Sequence, residues 1–248
     1  MSRPDAEDHG AGGTPVAALT HPPAREPGPS PASRTRALGG LAGIAGSLLL
    51  AAYFTAPALV HWPYAGASPA KLTAYATAHR LLFFGGGWLQ ATGALLSIVF
   101  FLVLLQLSGA RSSLAGAVAL TGCAVLLSVV VIEAALLEEV PLAAANGDQA
   151  TVATAFALSN GVFARIFPLA PAPLVFAGTG FALAGTAVLP RAFTRTALLI
   201  AGLFLLAGIA AVFGTAGLIL AIVMSVLEAI WILAAAITLA RTNASGAT

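Results

Sequence analysis

Little in this chain would hold it in water. Of 248 residues only 8% are charged, 11 basic and 9 acidic, against about 25% in a typical soluble domain. Cysteine occurs once, at Cys123, which excludes an intrachain disulfide, a multi-cysteine zinc site and a cysteine-ligated iron–sulfur cluster. That thiol lies in an apolar run and reads as a small packing residue. The formal charge of +2, carried by scattered arginines, is too weak for a nucleic-acid surface. The sequence has no serine–histidine–acid grouping, no phosphate-binding glycine loop and no paired carboxylates at one depth. Enzyme activity therefore has little support, a lipid-modifying reaction at the outer face being the one version left open.

What is abundant is apolar: 59% of the residues are hydrophobic and the mean hydropathy is +0.95. The decisive stretch is Leu218 to Leu239, long enough to cross a bilayer yet carrying a carboxylate, Glu228, near its middle. About 20 apolar residues cross the roughly 30 Å hydrocarbon core, and an ionisable group at the centre costs about 2.5–3.5 kcal/mol. Between Gly217 and Ala240 twelve Leu, Ile and Val residues contribute about 0.3–0.6 kcal/mol each, so the segment still inserts.

Met1 to Arg36 is polar and rich in Pro, Gly, Ser and Arg, and is expected to be a disordered tail. No secretory signal begins at Met1 and no twin-arginine signal is present, so the first span is expected to act as an uncleaved anchor, a cut near Thr55-Ala56 being the weaker alternative. The membrane domain is expected over 37–241, with spans at about 37–60, 81–107, 114–137, 169–189, 197–212 and 218–240 and a short tail at 242–248. Gly39, Gly43 and Gly46 give the first span a face for close helix approach, one that would also serve a homo-oligomer. The loop 61–80 carries Trp62, Tyr64 and Tyr75, aromatics suited to the headgroup level. Segment 150–167 is interrupted by Ser159, Asn160, Gly161 and Arg165 and is expected to lie at the interface or re-enter. The fold class is thus an all-α polytopic bundle of about six spans, with the bilayer as partner. With the N-terminus inside, Arg25, Arg34, Arg36, Arg111, Arg191, Arg195 and Arg241 are cytoplasmic, against Lys71, Arg80 and Arg165 outside; this places both termini in the cytoplasm.

Arg80 at the mouth of span two, Leu189-Pro190-Arg191 closing span four, and the Glu-x-x-Trp of Glu228 and Trp231 together resemble a family of uncharacterised bacterial multi-pass membrane proteins known as a domain of unknown function. The likeness covers about 37–240 and departs at Ala192 to Thr194. It implies a bundle of six or seven helices in the plasma membrane and supplies no activity, substrate or cofactor.

Gln90 and Glu228 each fall about 15 Å below the outer ends of their spans, near the midplane. On span six, Ala221, Ser225, Glu228 and Ala235 form a small, polar face that predicts an inward carboxyl with Gln90 as its partner and Trp231 nearby. Intramembrane carboxylates mark proton and ion pathways, so the leading reading is a proton-coupled or small-solute carrier. The alternative is a structural or partner-binding bundle in which Glu228 only fixes packing. Glu133 reads as shallower, within reach of Arg80 or Arg165 as an outer-face ion pair. His61 and His79 flank the first outer loop and raise a third reading, a haem or metal redox protein, though their spacing matches no ligand motif and no cofactor is expected.

Overall fold

In the computed structural model, residues 30–64 and 66–244 are described. Most of the expected tail, 1–29, and the last residues, 245–248, lie outside the described residues. The hydroxyl of Ser30 accepts from the Ser33 amide and Pro31 occupies the first turn, so helix α1 (Pro31–Leu59) begins inside the stretch read as tail. The following loop is not loop throughout: Ser68 caps a short helix, α2 (Pro69–Ala78). Trp62 packs on Phe83 with ring centroids 4.6 Å apart, and the Tyr75 hydroxyl donates to the Val60 carbonyl at 2.8 Å. Trp62 and Tyr75 therefore build a lid over one end of the bundle, whereas Tyr64 is exposed.

Helix α3 (Arg80–Leu107) runs unbroken through Gly85-Gly86-Gly87. A turn at Gly109, whose φ of 69° suits glycine, leads to α4 (Leu114–Ala145). The expected end of span three at Leu137 is overrun, because Pro141 is accommodated within the helix and α4 continues to Ala145. Gly147, also at positive φ, turns the chain sharply, and Asp148 caps α5 (Gln149–Gly161) by accepting from the Thr151 amide at 3.0 Å and hydroxyl at 2.7 Å. These bonds hold the Asp148 carboxyl below its ordinary pKa.

The interfacial assignment for 150–167 does not hold as a separate element. Helix α5 passes through a π turn at Val162–Ile166, in which the Phe167 amide reaches back to the Val162 carbonyl, into α6 (Phe167–Leu169) and α7 (Pro171–Leu183). Pro168, Pro171 and Pro173 thus bend one long element that the sequence suggested they would divide. Helix α8 (Arg191–Ala210) and α9 (Thr215–Ala244) follow, joined through Gly214 at φ 64°.

Among the described residues six helices are long and apolar enough to cross a membrane: Pro31–Pro57, Arg80–Leu107, Leu114–Ala145, Gln149–Leu183, Arg191–Phe213 and Ala216–Thr242. Their outward faces carry Val131, Ile132, Leu199, Leu206, Ile209 and Ile230, all exposed, a surface suited to lipid. The chain is a multi-pass integral membrane protein. Helix α1 packs against α3 and α9, α4 against α3, α5 and α7, and α8 against α7 and α9. The glycine face of α1 is used inside this bundle: a Cβ on Gly46 would stand 2.8 Å from the Ser97 amide. Likewise a Cβ on Gly122 would stand 2.6 Å from the Val175 amide where α4 meets α7. Phe100, Phe101, Phe176, Phe204, Ile232 and Leu239 fill the centre.

Candidate functional site

Three buried polar residues, two of them carboxyls, arrive at a similar level from three helices. Measured from the end of the bundle that holds α2, Gln90 lies about 15 Å along α3, Glu133 about 18 Å along α4 and Glu228 about 20 Å along α9, at 1.5 Å per residue. Gln90 and Glu133 are 3% exposed and Glu228 5%. All three line a small buried chamber of about 30 Å³, closed by Leu50, Phe54, Ala94, Ser97, Leu126, Val130, Phe163 and Phe167. Gln90 and Glu228 therefore both line the chamber, Gln90 at the depth expected and Glu228 somewhat deeper along its helix, because α9 begins at Thr215.

Glu133 is where the structure departs most from the sequence reading. It faces the bundle interior and makes no outer-face pair with Arg80 or Arg165. Its carboxyl accepts from the Tyr53 hydroxyl at 3.3 Å, a long and therefore weak bond, and lies beside the Gln90 amide. Arg80 is exposed, its guanidinium over the Phe84 ring at 5.4 Å, and Arg165 is exposed on the π turn. The reason is the length of α4: with eight more residues of helix beyond Leu137, Glu133 is drawn three turns below the helix end. Two carboxylates consequently do share one depth, a pairing the sequence did not display.

Above the chamber is a cavity of about 520 Å³, formed by the end of α1, the start of α3, α5 and the first turns of α9. Tyr53, Phe54, Trp62, Tyr64, Phe156 and Phe163 supply its aromatic walls, and Ser159 and Asn160 its neutral polar groups. Glu133 lines this cavity and the chamber alike, as do Phe54 and Phe163. Among the described residues no Lys, Arg or His lines either space. The Gln90 carbonyl oxygen is buried without a hydrogen-bond partner, an orphan acceptor aimed at a polar space. The Ser97 hydroxyl donates to the Gly93 carbonyl at 2.8 Å, which leaves its oxygen able to accept.

Searches of protein-family models, characterised proteins and solved structures return no match to this chain. The site's chemistry must therefore be read from its own residues.

Two members of the expected span-six site lie elsewhere. Trp231 turns toward α8, where its indole N–H donates to the Thr196 hydroxyl at 2.9 Å and its ring stacks on Phe101. Ser225 is buried but donates to the Ala221 carbonyl at 2.9 Å and lines neither space. His61 and His79 are both exposed; His79 packs on the Tyr75 ring at 4.4 Å, and no group of three or more His, Cys, Asp or Glu placed to hold a metal occurs among the described residues. Tyr53, Ser97 and Phe163 are the participants that sequence reasoning missed. A lone tyrosine within the apolar run of span one was the signal available for the first; Ser97 and Phe163 gave none, because only the packing brings them to the chamber.

Proposed function

We propose that this chain is a proton-coupled carrier of a small solute in the bacterial plasma membrane, with both termini cytoplasmic and with Glu133 and Glu228 as the groups that exchange protons. The observation that carries this reading is the convergence of two carboxyls, from α4 and α9, on one buried chamber that no cationic side chain lines among the described residues. Such groups are costly in a membrane, and hydrogen bonds between membrane helices average only about 0.6 kcal/mol, so packing alone is a weak reason to keep two of them. A water needs about 10–15 Å³ and two to four polar partners; a chamber of about 30 Å³ with Gln90, Ser97, Glu133 and Glu228 on its walls meets both conditions. Protons pass from the cavity to Glu133, across the chamber and on to Glu228.

The gate in this proposal is the π turn. Phe163 lies on it and lines both spaces, π turns recur at functional positions, and α5 to α7 are further broken at Ala170. Rotation there would widen or close the passage beside Glu133.

The test uses the purified chain in lipid vesicles with a pH-sensitive dye inside and a panel of solutes outside. Uptake driven by a pH gradient, lost in Glu133→Gln and in Glu228→Gln while both variants remain folded, supports the carrier. Undiminished flux in both variants would remove the two carboxyls from the mechanism, and the absence of gradient-driven uptake for every solute would favour the structural bundle. Imposing a sodium gradient at equal pH separates proton coupling from sodium coupling.

A further inference from the structure

We infer that the cavity of about 520 Å³ is a binding site for an organic cation with an apolar body, its positive charge set against Glu133. The volume falls within the roughly 300–1,000 Å³ of small-molecule sites. The walls select the body: six aromatic rings, with aliphatic groups between them, offer a large apolar surface and faces that attract a cation. The floor selects the charge. Among the described residues Glu133 is the one carboxyl that lines the cavity, and no Lys, Arg or His lines it, so a carboxylate there has no counter-charge on the cavity wall. A buried carboxylate demands one, and an anion would meet repulsion.

Cation and proton compete for Glu133. The groups facing it are Tyr53 from α1, Gln90 from α3, Ser159 and Asn160 from α5 and, across the chamber, Glu228 from α9; Glu138, one turn on in α4, lies instead against Gly87. Glu228 is the one other carboxyl among these groups. The inference rests on the reading of Glu133 as an ionising group, but binding itself requires no flux.

The test is equilibrium binding of tetraphenylphosphonium to the full chain in detergent, against tetraphenylborate as an anion of the same shape. The phosphonium should bind and the borate should not, with binding weakening as the pH is lowered. Glu133→Gln should lower affinity by at least about tenfold, and Glu133→Asp should restore part of it. Gly86→Phe, whose Cβ would stand 3.5 Å from Leu137 and 3.6 Å from Tyr53 in the cavity wall, should block binding with Glu133 intact, and Trp231→Phe, at a residue that lines neither space, should retain it. Equal binding of both ions, or unchanged affinity in Glu133→Gln and Gly86→Phe variants that elute as folded protein, would overturn the assignment. Phosphonium binding without gradient-driven flux leaves the site standing and removes the carrier; flux without phosphonium binding does the reverse.

Discussion

Replacing Glu228 with leucine should leave the fold intact and remove the flux. On insertion scales an ionisable residue at the centre of a span costs about 2.5–3.5 kcal/mol and leucine returns about 0.5 kcal/mol, so Glu228→Leu favours insertion of α9 by about 3–4 kcal/mol. Within the assembled bundle the carboxyl contributes little that leucine does not. A hydrogen bond between membrane helices is worth about 0.6 kcal/mol on average and about 1.7 kcal/mol at most, and the chamber beside Glu228 leaves room for a side chain of similar volume. Unfolding free energy in detergent should therefore fall by less than about 2 kcal/mol. Thermal unfolding followed by circular dichroism, with proton flux measured on the same preparation in vesicles, gives both quantities. Loss of more than about 3 kcal/mol with flux preserved would refute the reasoning, because it would make the carboxyl a structural bond.

Other perturbations probe separate parts of the account. Gly122→Leu forces a side chain into the 2.6 Å approach between α4 and Val175 and should cost about 1–3 kcal/mol or more, read as a lowered unfolding temperature; Gly202→Leu, where a Cβ meets nothing within 4 Å, should cost far less. Trp231→Phe removes the hydrogen bond to Thr196 and should lower stability by about 0.6 kcal/mol while leaving flux unchanged, since Trp231 lines neither space. The Asp148 carboxyl titrates below its ordinary range in the folded chain, so its cap stabilises α5 at neutral pH and is lost as the pH falls through that lowered value. Asp148→Asn should keep the cap and flatten that part of the stability–pH curve, measured as unfolding temperature against pH. Reporters fused to the two ends should both report the cytoplasm, as the arginine excess beside the spans predicts.

The bundle was legible because length and hydropathy dominate its physics: each long apolar run in the sequence becomes a membrane-length helix. The glycine face of α1 was legible for the same reason, as small residues at helical spacing are how membrane helices approach. Helix ends were harder. Pro141 and the Glu138-Glu139 pair look like a terminus in isolation, but α4 continues for another turn beyond them, and that extension alone moves Glu133 from the boundary to the interior. Segment 150–167 misleads in the same way, since its polar residues face a cavity and its prolines bend a helix without ending it. That Gln90 and Glu228 line one chamber followed from their depths, but the expected partnership is different: the Gln90 amide lies beside Glu133. Exchanging Trp231 for Tyr53 and Glu133 as their companions required the rotation of each helix about its axis, which spacing does not encode.

The central claim is that Glu133 and Glu228 act on one buried space inside the membrane and exchange protons there. Infrared difference spectroscopy of the full chain in lipid, between acid and alkaline buffer, observes the carbonyl stretch of protonated carboxyls without any substrate. Two titrating bands are expected, one lost in Glu133→Gln and the other in Glu228→Gln, with each substitution shifting the band that remains because the groups face the same chamber. A spectrum in which neither substitution removes a titrating band would contradict the account.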